Sequence, residues 1–211
     1  MNKGLLITFE GGEGCGKTTN SNMFCEYLTS LGYDVLHTRE PGGTPVSEAV
    51  RNLVKDPAYA DRTIASELLL FEASRAELCR KVIKPALAER KVVVVDRFTD
   101  STIAYQGYGR GVNLEVINTL NHFATDGLKP DLTFYLRIEP QDAFNRKGGK
   151  DQDAMEQLSL DFHNRVLEGF DELARANPDR IVVIDSNQPL DQVALDINNK
   201  FEERYAQHTK I

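Results

Sequence analysis

Basic residues are in deficit in this chain. Among 211 residues, 25 Lys and Arg stand against 32 Asp and Glu, a formal charge of −7. That balance excludes a grip on polyanions through bulk charge, so nucleic acid is not expected as a partner. Any phosphate the chain binds must be held by local groups. Cysteine is scarce as well: Cys15, Cys25 and Cys79 are odd in number, widely spaced and without a CxxC pair. This excludes a disulfide framework and a zinc site, and reads as reduced thiols in a cytoplasmic chain. Long apolar runs are missing. The first, at residues 4–9, is too short for a signal-peptide core and Glu10 ends it; none approaches the roughly 18 residues of a membrane span. No membrane association is expected. There is also no internal repeat, low-complexity tract or Ser/Pro linker.

What is present is a globular composition, 41% hydrophobic and 27% charged. The length fits one large domain or two very small ones, and a chain this long buries about 70% of its unfolded surface. Short apolar runs at residues 5–9, 34–38, 92–95, 132–138 and 181–184 lack polar alternation, which suits strands buried on both faces. Helical spacing begins near Lys17 and recurs at about 64–90, 114–124, 157–176 and 190–205. Alternating strands and helices imply right-handed crossovers and a parallel sheet inside an α/β sandwich. Ligands in such folds sit beyond the carboxyl ends of the strands.

At the first of those ends stands Gly11-Gly12-Glu13-Gly14-Cys15-Gly16-Lys17-Thr18, followed by Thr19. This is G-x-x-x-x-G-K-T between a strand and a helix. Its N–H groups converge on phosphate oxygens, Lys17 bridges the β- and γ-phosphates, and Thr18 coordinates Mg²⁺. Residues 11–19 are therefore the expected ATP phosphate site. The expected fold is a P-loop three-layer α/β/α sandwich with a five-stranded parallel sheet.

The loop alone does not distinguish a kinase from a switch. A base-reading N-K-x-D is missing, since Asn199-Lys200-Phe201-Glu202 has the wrong last residue and lies in a helical stretch. Asp96 closes the third strand where an acid that positions Mg²⁺ or its water belongs, and Arg97 follows, suited to pairing with a phosphoryl group. Just beyond the second strand comes Thr38-Arg39-Glu40-Pro41-Gly42-Gly43-Thr44, with Arg39 near the strand end. In the helix from residue 64, the spacing of Leu68, Phe71, Arg75, Leu78 and Val82 puts Arg75 on the apolar stripe, beside Phe71 at i and i+4. A ring for stacking beside a fork for a carbonyl oxygen suits a nucleobase; core packing around a paired arginine is the alternative. Phe144-Asn145-Arg146-Lys147-Gly148-Gly149-Lys150 gathers cations around a glycine pair, as a mobile lid or as a solvated basic loop.

Taken together, F-E-G-G-E-G-C-G-K-T-T, T-R-E-P-G-G-T, L-L-F-E-A-S-R, D-R-F-T-D-S-T-I-A-Y-Q-G-Y-G-R-G and K-P-D-L-T-F-Y-L resemble the bacterial thymidylate kinase family along essentially the whole chain. The resemblance implies Mg²⁺-dependent transfer of the ATP γ-phosphoryl group to dTMP, in a homodimer. It implies that Phe71 stacks on thymine, Arg75 meets its O4, and Thr102 and Gln106 read the rest of the base edge. Arg39, Arg51 and Arg97 would approach the dTMP phosphate. Glu13 would lie near the sugar 3′-hydroxyl, with Tyr105 beside the sugar. Asn187, Gln188 and Pro189 would pass the adenine. The lid, at about 140–155, would supply Arg146, Lys147 or Lys150, with Lys17, Arg97 and Arg146 as the catalytic cations. The chain departs from the family pattern at Ala154, where many relatives carry Arg, and at Cys15, which replaces a small Ala. The lid is also about two residues short. A different nucleoside monophosphate or deoxynucleoside kinase, or a nucleotide-dependent switch, remains open at this point.

Overall fold

A computed structural model describes residues 4–147 and 157–205. Its center is a five-stranded, wholly parallel sheet in the order β2-β3-β1-β4-β5. The strands are β1 (Leu5–Glu10), β2 (Val35–Arg39), β3 (Val92–Asp96), β4 (Leu132–Arg137) and β5 (Ile181–Asp185). Every residue of β1 and β3 is buried, as unalternated apolar runs require when helices cover both faces.

The helices are α1 (Lys17–Ser30), α2 (Pro45–Lys55), α3 (Ile64–Leu78), α4 (Lys84–Ala88), α5 (Thr99–Thr102), α6 (Leu114–Thr125), α7 (Pro140–Lys147), α8 (Leu160–Ala176) and α9 (Leu190–Tyr205). Side-chain alternation along the sheet builds the sandwich. Leu5, Ile7 and Phe9 join Val92, Val94 and Phe134 in one core with Phe24 and Leu28 of α1 and Ile197 and Phe201 of α9. Leu6, Val93 and Val95 point the other way, onto Leu78, Ile83 and Phe98. Tyr135 meets Phe162 and Phe170 of α8 in a third cluster on β4. The three-layer α/β/α expectation therefore holds. Among the described residues, no helix is long and apolar enough to cross a membrane.

The boundaries differ in three places. The single helix expected at 64–90 is α3, a π-helical turn (Cys79–Ile83) and α4 in succession. The residues after β3, to which no helix was assigned, form α5 and a second π-helical stretch (Ile103–Gly109). Helix α2 was not anticipated, although Thr44 caps it by accepting from the Ser47 N–H and Pro45 opens its first turn. Threonine followed by proline is a helix-start signal, and it went unread.

The topology fixes where a ligand can sit. From β1 the chain first builds β2 and β3 on one side, then crosses to β4 and β5 on the other. The loops leaving β1 and β3 thus face each other across a crevice at the strand ends.

Candidate active site

A cleft of about 720 Å³ opens at that crevice. One end is the loop after β1. Gly14 and Gly16 have φ of +70° and +86°, and Gly16 is the left-handed residue that starts α1. A Cβ on Gly14 would lie 3.0 Å from the Ala143 carbonyl oxygen, so glycine is needed for both conformation and space. Glu13, Gly14, Gly16, Lys17, Thr18 and Thr19 line the cleft. Gly11, Gly12 and Cys15 lie behind it, with Cys15 fully buried and its Sγ 3.4 Å from Lys17 Nζ. Lys17 Nζ donates to the Gly11 and Gly12 carbonyls at 3.1 and 2.6 Å, so the ammonium is held by weak neutral acceptors that a phosphate outcompetes.

Thr18 Oγ1 donates to Asp96 Oδ2 at 2.5 Å, and both residues line the cleft. A hydroxyl and a carboxylate, with substrate phosphates and waters completing the shell, form the kind of oxygen donor set Mg²⁺ takes. The described residues contain no cluster of three or more His, Cys, Asp or Glu that could hold a metal unaided.

Arg97 stands between the two ends of the cleft. It follows β3 with φ +70°, a left-handed conformation that costs a non-glycine residue free energy and persists only where the surroundings enforce it. Nη1 donates to the Gly11 carbonyl at 3.1 Å, and Nη2 pairs with Glu13 Oε1 at 2.5 Å. Tyr105 OH donates to the same Glu13 oxygen at 2.9 Å, and its ring centroid lies 5.0 Å from the guanidinium carbon. Glu10, fully buried beneath, accepts from the Phe98 and Ser101 N–H groups and from the Ser101 hydroxyl. Burial, with Asp100 nearby, pushes the Glu10 carboxyl up to about 8.

The far end is built differently. Arg75 is 2% exposed and its donors are engaged by protein. Nε and Nη2 meet Glu40, Nη1 reaches Glu72, Thr102 and Asn121, and Nη2 donates to the Phe98 carbonyl. Burial pushes the Glu40 carboxyl up to about 7, against the pull of Arg75. Gln106 donates Nε2 to Glu67 at 3.0 Å. Phe71, Arg75, Thr102, Tyr105 and Gln106 all line the same cleft as the phosphate loop.

The remaining expected residues are distributed unevenly. Arg39 and Arg51 line the cleft; Arg39 forks onto Glu48 and Arg51 donates to the Pro41 carbonyl. Arg146 reaches the cleft from α7, a helix where a loop was expected, and donates to Ser186 O at 2.7 Å and Asn187 Oδ1 at 3.1 Å. Asn187, Gln188 and Pro189 do not line the cleft; they precede α9, and Asn187 reaches the site only through Arg146. Lys150, Ala154 and the rest of the lid at 148–155 lie outside the described residues, as does the Lys147 side chain. Reading the sequence missed Glu10, Glu40, Glu67, Glu72 and Asn121. The partners of Glu10, Glu40, Glu67 and Asn121 stand far away along the chain, whereas Glu72 pairs with Arg75 at i and i+3 on α3, a helical spacing that the reading passed over.

Comparison with known proteins adds independent findings. The family model for thymidylate kinase matches residues 9–197. A thymidylate kinase of Synechococcus sp. (strain JA-3-3Ab) is 52% identical over 90% of this chain and 92% of its own. One from Thermoanaerobacter sp. (strain X514) is 45% identical over 92% and 96%. The crystal structure of thymidylate kinase from Ehrlichia chaffeensis superimposes with a TM-score of 0.78 at 38% identity, covering 94% of this chain and 98% of that one.

Proposed function

The chain belongs to the thymidylate kinase family, and from that premise we propose how its cleft moves the ATP γ-phosphoryl group to dTMP, giving dTDP and ADP for dTTP synthesis. The observation that carries the reading is the continuity of one cleft from the phosphate loop to Phe71, Arg75 and Gln106. A donor phosphate and an acceptor base can be held in it together. ATP places its phosphates on residues 11–19, with Lys17 leaving its carbonyl partners for the β- and γ-oxygens. Thymine lies against Phe71, with Arg75, Thr102 and Gln106 at its edge. Because the protein itself engages the Arg75 donors, that guanidinium must share a hydrogen with O4 rather than offer a spare one.

Arg97, with Arg39 and Arg51 behind it, receives the dTMP phosphate. Glu13 and Tyr105 hold its guanidinium toward the loop and lie along the sugar. A dTMP phosphate oxygen forms the new bond to the γ-phosphorus as the bond to the ADP oxygen breaks. A phosphate monoester is largely ionised at pH 7, so the attacking oxygen needs no general base. The protein's contribution is alignment and charge: Lys17, Arg97 and Arg146 face the oxygens on which negative charge develops. Mg²⁺, held by Thr18 and Asp96, would neutralise charge on the β- and γ-phosphates.

We read residues 1–211 as one kinase domain with a lid at about 140–155 that brings Arg146 to the γ-phosphoryl group and excludes water. Three free cysteines support a reducing, cytoplasmic setting. A homodimer is supported by exposed apolar side chains on two helices in contact, Leu69 of α3 and Val116 and Phe123 of α6. Sedimentation at twice 23.7 kDa is the expected result; a monomer at micromolar concentration removes that part of the proposal. The reaction is tested by ADP release with dTMP, dUMP, dGMP, AMP and thymidine as acceptors. Strong stimulation by dTMP is expected, and equal or greater turnover of dGMP or AMP would overturn the assignment.

A further inference from the structure

We propose that Glu67, a residue that does not line the cleft, is a positioning residue that sets which base the enzyme accepts by locking the amide of Gln106. This rests on the reading that Gln106 faces the pyrimidine edge. Glu67 sits on α3 with 2% exposure. Its Oε1 accepts from Gln106 Nε2 at 3.0 Å, and Arg110 forks onto the same carboxylate at 3.2 and 2.9 Å. Arg62 Nε adds a second positive neighbor at 3.6 Å.

A glutamine amide can usually turn over, exchanging a donor for an acceptor at little cost. Here it cannot. A carboxylate has only acceptors, so the Nε2 end must face Glu67, and the reversed amide would set oxygen against oxygen in a buried site. Gln106 Oε1 then points away from Glu67, with no hydrogen-bond donor to it among the described residues, on a residue that lines the cleft. The π-helical stretch Ile103–Gly109, which carries Gln106, sets that side chain against α3.

The consequence is a chemical filter. Thymine and uracil present N3–H, a donor that matches a fixed acceptor. Cytosine presents an unprotonated N3, which would face Oε1 lone pair to lone pair. Specificity against cytosine thus comes from an orientation imposed by a residue behind the site, and from repulsion as much as attraction.

The test measures kcat/KM for dTMP and dCMP with the full chain. A loss of folded protein lowers both values together and leaves their ratio unmoved. Glu67→Gln supplies an amide that pairs with either orientation of Gln106. It is expected to lower the dTMP-to-dCMP ratio about tenfold or more. In a Gln106→Ala background the same substitution is expected to leave the ratio where Gln106→Ala alone put it. An unchanged ratio in Glu67→Gln, or an equal fall in both backgrounds, overturns the proposal. Should Glu67→Gln not fold, the wild-type protein still decides. The Gln106 side-chain NH₂ resonances, identified by their loss in Gln106→Ala, should stay protected from exchange with and without dTMP. Fast exchange in the dTMP complex would mean that Nε2 is not locked, and would overturn it. Wild-type protein that does not turn over dTMP fails the functional reading itself, a distinct result from a normal enzyme with an indifferent Glu67.

Discussion

The two ends of the cleft are held by opposite means. At the end proposed for the phosphates, one contiguous loop after β1 is joined by Arg97 from the end of β3, and their present partners are replaceable: Lys17 rests on two carbonyls and Arg97 on a partly exposed glutamate. At the end proposed for the base, Arg75 and Gln106 are tied to buried carboxylates, Glu40 and Glu67 from distant parts of the chain and Glu72 one turn away on α3, and Arg75 has no donor to spare. The phosphate end is poised to exchange partners as charge moves during transfer. The base end is already committed, so it can discriminate by shape and hydrogen-bond pattern.

The largest expected effect lies at the phosphate end. Arg97→Ala should lower kcat about a thousandfold, with ATP affinity changed far less. Arg146→Ala should cost less, about a hundredfold, because that side chain is exposed and divides its donors between Ser186 and Asn187. Single-turnover rates would show this. If Arg146→Ala is the worse lesion, the lid rather than the strand end carries the transferred charge.

At the base end, substitution should strike folding before chemistry. Arg75→Ala leaves Glu40 and Glu72 buried without their counter-charge. It is expected to cost about 3–5 kcal/mol in denaturant unfolding. A stable Arg75→Ala protein that loses only dTMP affinity would mean the guanidinium serves the ligand and not the frame.

The smallest effect concerns pH. Glu10 is pushed up to about 8 and Glu40 to about 7, both above the ordinary carboxylate value of 4.5. A raised carboxyl keeps its proton in the folded chain after the unfolded chain has lost it. Stability therefore falls as pH rises from about 4.5 through the folded values. Between pH 7 and 8 the fall belongs mainly to Glu10, at the phosphate end. Glu10→Gln should flatten it, as read from thermal midpoints across pH 5–8.5. An unaltered slope would assign the titration to other groups.

Legibility followed the same division. Gly11 to Thr18 could be read at sight because a phosphate loop is a local object: strand, glycines and helix start follow within a few residues. The buried strands were equally readable from their β-branched runs. Arg75 was singled out by spacing; it is the packed, paired arginine of one reading, and it lines the cleft where the other reading needs it. Helix α2 carried a signal that was overlooked. Glu72, three residues before Arg75, carried a helical spacing that was also overlooked. Glu67 and Asn121 carried none, because an acid or an amide on a helix looks the same whether it faces water or a buried partner.

By itself, the sequence determined the parallel sandwich, the glycine-rich loop after β1 and the choice of Phe71, Arg75 and Gln106 as residues to look for at the cleft, because periodicity and contiguous motifs are short-range properties. Only the tertiary structure decided the state of those residues. Partners 35 and 46 positions away engage Arg75, and one 39 positions away orients Gln106. Hydrogen bonds of that span exist only once helices have packed across the sheet, and burial is what makes them binding.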